Sequence, residues 1–214
     1  MEQLLTEEQY EDEFSVLYKC GLRIVKTQIE NSREIMEISN EGRNVYHSIY
    51  SRIKEYDSVI KKCEHKGISP TAENIRDNIR DVAGIRVIAL LLDDVRKIRD
   101  EIIKIPGLII TDEKDYIEHP KQNGYRSLHL IASVPVPYMG KTMPATVEIQ
   151  IRTIAQELWS QVEHYLCYKN DNGKLARSEE MFDKLSPILW NFDQEANKIA
   201  KSSCSDPCEN MPPH

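Results

Sequence analysis

The 214-residue sequence contains no run of about 18–20 apolar residues, the length a helix needs to cross a membrane. The N-terminus is acidic and lacks the apolar segment of a secretory signal. A basic excess is also missing, because the formal net charge is −7. General nucleic-acid binders carry such an excess. The composition therefore argues against these classes and fits a small anionic ligand bound by a few local cations.

The cysteines form no metal or disulfide framework. The sequence has five of them, with no Cys-x-x-Cys pair. Structural zinc sites use closely spaced pairs, and small secreted domains use even sets. We therefore expect reduced thiols, a cytoplasmic location and no zinc site.

Length and composition fit one globular domain of the α+β class. Apolar periodicity predicts helices at 7–40, 43–65, 93–104, 154–168 and 178–201, and a short helix capped by Thr71 or Ser69 that ends near Arg80. Strands are predicted at 85–92, 108–110, 127–134 and 143–153, with a further extended piece at 115–117. This order predicts a mixed sheet flanked by helices in a single domain at 1–201, with its core at about 43–169 and a mobile tail at 202–214.

The most informative segment is the alternating strand at 147–153. Successive side chains point to opposite faces of a strand, so Glu148, Gln150 and Arg152 share one face and apolar residues the other. A half-buried strand with a solvated face has the same pattern. Three polar segments together indicate a nucleotide site instead, because two more lie at predicted strands or strand ends, at 81–86 and 121–129.

Asp81 and Glu148 are the candidate catalytic and metal-binding carboxylates. Asp81 precedes an apolar strand, and Mg²⁺ binds one or two carboxylates together with substrate phosphates. A simple linker acid is the alternative at this position. If the two carboxylates approach across the sheet, they can hold Mg²⁺, and Glu148 can deprotonate an attacking hydroxyl.

Candidate phosphate-binding residues precede these strands. Lys54, Ser58 and Lys62 recur every fourth residue and would share one helix face, with Arg52 shortly before them in the sequence. Such a face can bind a triphosphate, although a solvated face has the same spacing. Arg86 lies inside an apolar strand and needs a partner, either an ion pair or a ligand ring.

Tyr125 follows an Asn-Gly loop signal and can offer its ring to a base. A core tyrosine beside a tight turn is the alternative. His129 lies on the predicted strand at 127–134, on the same face as Ser127. A lone histidine in such a position is more often structural than catalytic.

Together these motifs resemble those of the small alarmone synthetases, the free-standing synthetase domains of the RelA/SpoT family. They occur in that family's order and span about 52–169. The matching segments are Arg52-x-Lys54-x3-Ser58-x3-Lys62, Arg80-Asp81-x-Ala83-Gly84-Ile85-Arg86, Lys114-Asp115-Tyr116-Ile117, Lys121-x2-Gly124-Tyr125-Arg126-Ser127-x-His129, Glu148-Ile149-Gln150-Ile151-Arg152-Thr153 and Trp159-x3-Glu163-His164-x3-Tyr168-Lys169.

The resemblance implies a nucleotidyltransferase-like fold with helical extensions at both ends. It also implies an ATP:GTP 3′-diphosphotransferase that uses Mg²⁺ to transfer the β,γ-pyrophosphate of ATP to the 3′-hydroxyl of GDP, GTP or GMP. The products would be ppGpp, pppGpp or pGpp, with AMP, in the stringent response. The implied roles are ATP binding by Arg52, Lys54, Ser58, Lys62 and Arg86, guanine-nucleotide binding by Lys114, Lys121, Tyr125, His129, Gln150 and Glu157, and catalysis and metal binding by Asp81 and Glu148.

Two positions depart from the family pattern. Lys114 stands where many relatives have arginine, so bidentate phosphate contacts are lost there. Glu157 stands where some relatives have asparagine near the guanine, and its carboxylate can accept from guanine N1–H and N2–H₂. The His-Asp dipeptide of the family's hydrolase domain is absent, so we expect synthesis without degradation.

Two other functions stay open. A toxin-like relative would pyrophosphorylate the 3′ end of tRNA or make adenine alarmones, but the C-terminal helix mixes acids with bases. A catalytically inactive nucleotide-binding regulator would not need both Asp81 and Glu148. The resemblance further implies a homotetramer built through terminal helices and no membrane association, and it leaves single-stranded RNA open as a regulator.

Overall fold

The computed structural model describes residues 3–39, 44–168 and 175–203. Its strands are β1 (Tyr46–Ile53), β2 (Ala83–Ala89), β3 (Ile109–Asp115), β4 (Leu128–Tyr138) and β5 (Lys141–Thr153). They form one sheet in the order β1-β2-β5-β4-β3. β2 and β5 run parallel and the other neighbours antiparallel, which confirms a mixed sheet.

Helices flank this sheet, as predicted for the α+β class. They are α1 (Glu7–Gln9), a π-helical turn (Tyr10–Phe14), α2 (Ser15–Ser39), α3 (Tyr56–Lys66), α4 (Ala72–Asn78), α5 (Leu92–Ile102), α6 (Ile154–Tyr168) and α7 (Leu175–Ser203). Helices α2 and α5 pack against the sheet, and α6 packs against α7. Among the described helices, none combines the length and the apolar character that crossing a membrane would require.

The helix predicted at 43–65 is wrong over its first half. Residues 46–53 form the edge strand β1, antiparallel to β2, and the helix begins only at Tyr56. An edge strand that is largely exposed shows little apolar alternation, so its pattern resembled a polar helix. As a consequence Arg52 lies on a strand, Lys54 lies between elements, and only Ser58 and Lys62 share a helix.

Most of the other predictions differ only at their boundaries. The strand predicted at 85–92 ends at Ala89, because Leu92 already begins α5. The extended piece predicted at 115–117 is wrong after its first residue, because β3 ends at Asp115 and residues 116–117 lie in a turn. Thr71 caps α4 as expected, accepting from Asn74 N. The tail predicted at 202–214 lies outside the described residues from 204 onward.

Alternation along β5 separates the core from the site. Val147, Ile149 and Ile151 are fully buried in the hydrophobic core. Helix α2 approaches this layer closely at Gly21, where an added Cβ would lie 2.6 Å from Ala145 Cβ. Glu148, Gln150 and Arg152 therefore face the opposite side of the sheet.

Candidate active site

One transverse row of residues crosses all five strands of the described sheet. Strand register aligns Tyr50 of β1 with Arg86 of β2, Arg86 with Gln150 of β5, Gln150 with His129 of β4, and His129 with Lys114 of β3. Facing residues in neighbouring strands lie about 4.5–5.5 Å apart. Residues separated by up to 100 positions in the sequence, from Tyr50 to Gln150, are thereby gathered on one face.

Glu148 lies next to this row and belongs to a closed ring of hydrogen bonds. His129 Nδ1 is 3.2 Å from Glu148 Oε1, and Gln150 Nε2 donates to Glu148 Oε2 at 2.8 Å. Arg152 closes the ring by donating both to Gln150 Oε1 and, at 2.9 Å, to the Tyr125 hydroxyl. The Tyr125 hydroxyl lies 2.8 Å from His129 Nε2. The carboxylate is therefore fixed in direction by its neighbours.

The ring also fixes the charge state of Glu148. Burial alone would raise its pKa, but the hydrogen bonds from His129 and Gln150 outweigh burial and hold the pKa below the usual range. Glu148 is consequently ionised at neutral pH and can accept a proton.

Asp81 is paired with two of the predicted phosphate-binding lysines. Lys54 Nζ lies 2.8 Å from Asp81 Oδ2, and Lys62 Nζ lies 2.7 Å from Asp81 Oδ1. Burial opposes ionisation of this carboxyl, but the two lysines prevail and lower its pKa. Both lysines thus contact Asp81, although only Lys62 lies on a helix and the predicted shared helix face does not exist.

A cleft of about 130 Å³ connects the two carboxylates. Gly84 forms part of its floor directly beside Glu148, since the two residues are register partners. A Cβ at Gly84 would meet no protein atom within 4 Å, so the missing side chain leaves open space. The cleft is lined by Tyr50, Ser51, Arg52, Asp81, Gly84, Ile85, Arg86, Glu148 and Gln150.

Glu157 at the start of α6 is held between two arginines. Arg86 Nη1 donates to its Oε1 at 2.8 Å, and Arg152 Nη1 lies 3.1 Å from its Oε2. Of the two partners considered for Arg86, the structure contains the ion pair. Arg86 Nε nevertheless stays buried without a hydrogen-bond partner among the described residues, so it can still meet a ligand acceptor.

An aromatic cluster surrounds Tyr125. Its ring packs edge-on against Tyr116, His129 and Trp159, with centroid distances of 6.1, 5.8 and 5.8 Å. Lys121 Nζ lies between the Tyr116 and Tyr125 rings, 4.9 and 4.8 Å from their centroids. An exposed lysine is easily displaced, so a planar base can take its place against the Tyr125 ring.

The remaining predicted residues lie at the margin. Arg52 is exposed at the cleft, Ser58 is exposed in the first turn of α3, and Lys114 is 57% exposed and 3.7 Å from Asp112. A separate cavity of about 400 Å³ lies between the N-terminal helices and the β4–β5 turn, away from both carboxylates.

Three further residues belong to the site although the sequence analysis gave them no role. Arg152 is only 2% exposed and connects the hydrogen-bonded ring to Glu157. Its position on the polar face of 147–153 was a usable signal. Gly84 and Tyr116 stood inside matching segments, but their contributions depend on strand register and loop packing.

The carboxylates fit a hard divalent cation. Both are ionised and both face one cleft, and Mg²⁺ prefers oxygen ligands from one or two carboxylates plus phosphates. Within the described ranges, no group of three or more His, Cys, Asp or Glu side chains forms a preassembled metal cage. Such a cation would therefore need phosphate oxygens to complete its coordination.

Comparison with known proteins agrees with this geometry. Residues 51–173 match the family model described as a region found in RelA/SpoT proteins. The GTP pyrophosphokinase YwaC of Bacillus subtilis is 34% identical over 186 residues, covering 87% of this chain and 88% of that protein. The GTP pyrophosphokinase YjbM of the same organism is 27% identical over 188 residues, covering 88% and 87%.

Solved structures give the same result. Small alarmone synthetase 1 of B. subtilis, bound to its product pppGpp, matches with a TM-score of 0.83 at 26% identity, over 91% of this chain and 98% of that one. Small alarmone synthetase 2 of B. subtilis matches with a TM-score of 0.76 at 31% identity, over 90% and 99%.

The mixed sheet and its cleft of paired carboxylates and cations define a nucleotide-dependent transferase. The chain belongs to the RelA/SpoT family.

Proposed function

We propose that this protein transfers the β,γ-pyrophosphate of ATP to the 3′-hydroxyl of GDP or GTP, and of GMP as a smaller acceptor, and releases AMP. The observation that carries the proposal is the position of Glu148: an ionised carboxylate, held by His129 and Gln150, faces a cleft that also contains Asp81 with two lysines. The cleft supplies a proton acceptor next to cations suited to polyphosphate.

In this scheme Lys54 and Lys62 exchange Asp81 for the phosphates of ATP. In the free protein Asp81 offsets part of the charge of the two lysines and leaves a net charge of +1, which lowers the cost of keeping these groups partly buried. Incoming phosphates offer the lysines stronger charge-assisted hydrogen bonds. Arg52 and Arg86 line the same cleft and would contact the adenine, and exposed Ser58 would add a hydroxyl to the phosphates.

The carboxylates freed by this exchange suit Mg²⁺. Asp81 and Glu148 would hold the ion, which when bound would neutralise phosphate charge.

Glu148 would accept the proton of the acceptor's 3′-hydroxyl. The O3′–H bond breaks as the O3′–Pβ bond forms, the bond from Pβ to the α,β-bridging oxygen breaks, and AMP leaves with that oxygen. Lys54 and Lys62 stabilise charge on the transferred group. The acceptor base would stack on Tyr125 after displacing Lys121, while Gln150 and His129 keep Glu148 aimed at the hydroxyl.

The acceptor side would include the remaining predicted residues. Lys121, released from the aromatic rings, and exposed Lys114 would meet acceptor phosphates. Glu157 is available to guanine only if Arg86 turns away from it, because both of its oxygens are now engaged by arginines. Binding of ATP at Arg86 would release Glu157 and therefore favour binding of the guanine nucleotide.

Self-association is a further proposal. Exposed apolar residues follow one face of α7, and others follow α6, and burial in a homotetramer would remove them from water. They are Ile188, Phe192 and Ile199 on α7 and Leu158 and Tyr165 on α6. Sedimentation equilibrium tests this, and a monomer at micromolar concentration would contradict it.

One incubation tests the reaction. The protein is mixed with Mg²⁺ and γ-labelled ATP, and GMP, GDP, GTP, deacylated tRNA or no acceptor is added in parallel. Labelled guanosine products with equal amounts of AMP support the proposal and identify the preferred acceptor. Label only on tRNA or only on adenosine assigns the toxin-like activity instead, and nucleotide binding without AMP release assigns a regulator.

A further inference from the structure

Helix α7 presents a second stripe, which packs on the protein and which the reaction scheme leaves without a role. Its members recur at helical intervals of three and four residues, are buried or half-buried, and each contacts another part of the protein. They are Phe182, Ser186, Trp190, Asp193 and Asn197. The stripe runs along the loop that carries Lys121 and Tyr125.

Ser186 contacts the turn of this loop. Its hydroxyl donates to the Gly124 carbonyl at 2.9 Å. Gly124 has a φ of +81°, and an added Cβ would overlap the Ser186 side chain. The loop itself is a small turn, closed by a 2.8 Å hydrogen bond from Gly124 N to Lys121 O. Helix and turn are thus fitted against each other immediately before Tyr125.

Trp190 contacts the residue that follows Tyr125 in the loop. The Arg126 guanidinium lies 4.0 Å from the centroid of the Trp190 ring. The same guanidinium donates to the Ile117 carbonyl, next to Tyr116. One stacked arginine therefore connects α7 to both tyrosines of the aromatic cluster.

Two further members of the stripe anchor α7, one to the sheet and one to helix α5. Asp193 Oδ2 accepts from Thr153 Oγ1 at 2.7 Å, at the end of β5. Asn197 exchanges two hydrogen bonds with Asp93, of 3.1 and 3.0 Å. With its second half fixed in this way, α7 can hold the loop in a defined place.

We propose that Ser186 and Trp190 are positioning residues for acceptor binding, because through Gly124 and Arg126 they fix the loop at 121–126 so that Tyr125 presents its ring to the acceptor base. The inference rests on the proposed function of this loop. The proposed role of α7 is to place the acceptor. The contacts described above do not include the residues that line the ATP cleft, so ATP binding should not depend on them.

The test compares Trp190→Leu with Glu195→Gln, a change at an exposed residue of the same helix. A cation–π contact accounts for roughly a 2- to 30-fold difference in binding. Trp190→Leu should therefore raise the KM for GDP by roughly that factor and leave the KM for ATP nearly unchanged. Trp190→Phe, which keeps an aromatic face, should restore most of the loss. Equal changes in both KM values, or none, would overturn the inference.

Arg126→Gln breaks the same contact from the loop side and leaves α7 intact. It should reproduce the acceptor effect, and the double variant Arg126→Gln with Trp190→Leu should be no worse than either single change. Additive effects would show that Trp190 does not act through Arg126. If Trp190→Leu does not fold, Arg126→Gln alone still tests whether the contact between Arg126 and Trp190 supports acceptor binding.

Limited trypsin digestion tests the loop without catalysis. Cleavage after Lys121 should be several-fold faster in Trp190→Leu than in the unaltered protein or in Glu195→Gln. Unchanged cleavage refutes the positioning role even when activity falls. If the unaltered protein releases no AMP with any acceptor, the proposed function fails while the digestion result still decides whether α7 holds the loop.

Discussion

His129 Nδ1 lies 3.2 Å from Glu148 Oε1, and this contact determines the tautomer of the imidazole. Arg152 can only donate to the Tyr125 hydroxyl, so that hydroxyl is free to donate to His129 Nε2. A proton on Nδ1 then satisfies every member of the ring. A histidine whose pattern favoured a structural role thus orients the candidate base.

Glu148→Gln tests the candidate base itself. The amide is isosteric and cannot accept a proton, so turnover should fall by about 10²–10⁴, the usual contribution of general acid–base catalysis. Steady-state AMP release measures the turnover. Turnover within a few-fold of the unaltered protein would remove Glu148 from this role.

His129→Ala tests how the charge of Glu148 is maintained. The hydrogen bond from His129 lowers the pKa of Glu148, so the unaltered protein should keep its proton acceptor below the ordinary glutamate pKa of about 4.3. Without His129, burial dominates and raises that pKa. The acid limb of kcat/KM should therefore move to higher pH in the variant. An acid limb at the same pH in both proteins would contradict this account.

Tyr125 combines two contributions that substitutions can separate. Tyr125→Ala removes the ring and should raise the KM for the guanine nucleotide, since a stacked base is worth about 1–3 kcal/mol. Tyr125→Phe keeps the ring and removes only the hydroxyl between Arg152 and His129. It should lower kcat with little effect on that KM. If both variants show the same kinetics, stacking is not the role of this ring.

The sequence grouped the candidate residues better than it predicted the elements that carry them. Alternation in 147–153 was sufficient to place Glu148 and Gln150 on one face, because the period of a strand is independent of its neighbours. Lys54 and Lys62 were correctly grouped through a helix that is in fact partly strand β1. Register across β1, β2 and β5 is a tertiary property, so the role of Gly84 beside Glu148 could not be obtained from local pattern.

Gly84 and Gly21 should respond oppositely to alanine. A Cβ at Gly84 meets only the open cleft, so Gly84→Ala should fold normally and raise the KM for ATP. A Cβ at Gly21 would lie 2.6 Å from Ala145 Cβ. Gly21→Ala should therefore lower the free energy of unfolding by about 1–3 kcal/mol through overpacking. Thermal melts and ATP kinetics of both variants measure the contrast. A destabilised Gly84→Ala with unchanged kinetics would contradict the assignment of the cleft.

Asp193 should make folding pH-dependent. Burial raises its pKa to about 6 in the folded protein, against a usual value near 3.8. The folded state therefore binds the proton more tightly, so the stabilisation is complete below about pH 3.8 and is lost as the pH rises through about 6. The loss is at most about 3 kcal/mol, at about 1.36 kcal/mol per pKa unit.

Asp193→Asn stays neutral and its amide oxygen can still accept from Thr153, so the variant should unfold at higher denaturant concentration than the unaltered protein at pH 7.5. At pH 4 the two should be nearly equal. Glu195→Gln, an exposed change two residues away on the same helix, should leave the pH profile unaltered. Parallel denaturant midpoints for the unaltered protein and Asp193→Asn between pH 4 and 7.5 would mean that Asp193 is ionised in the fold at no cost.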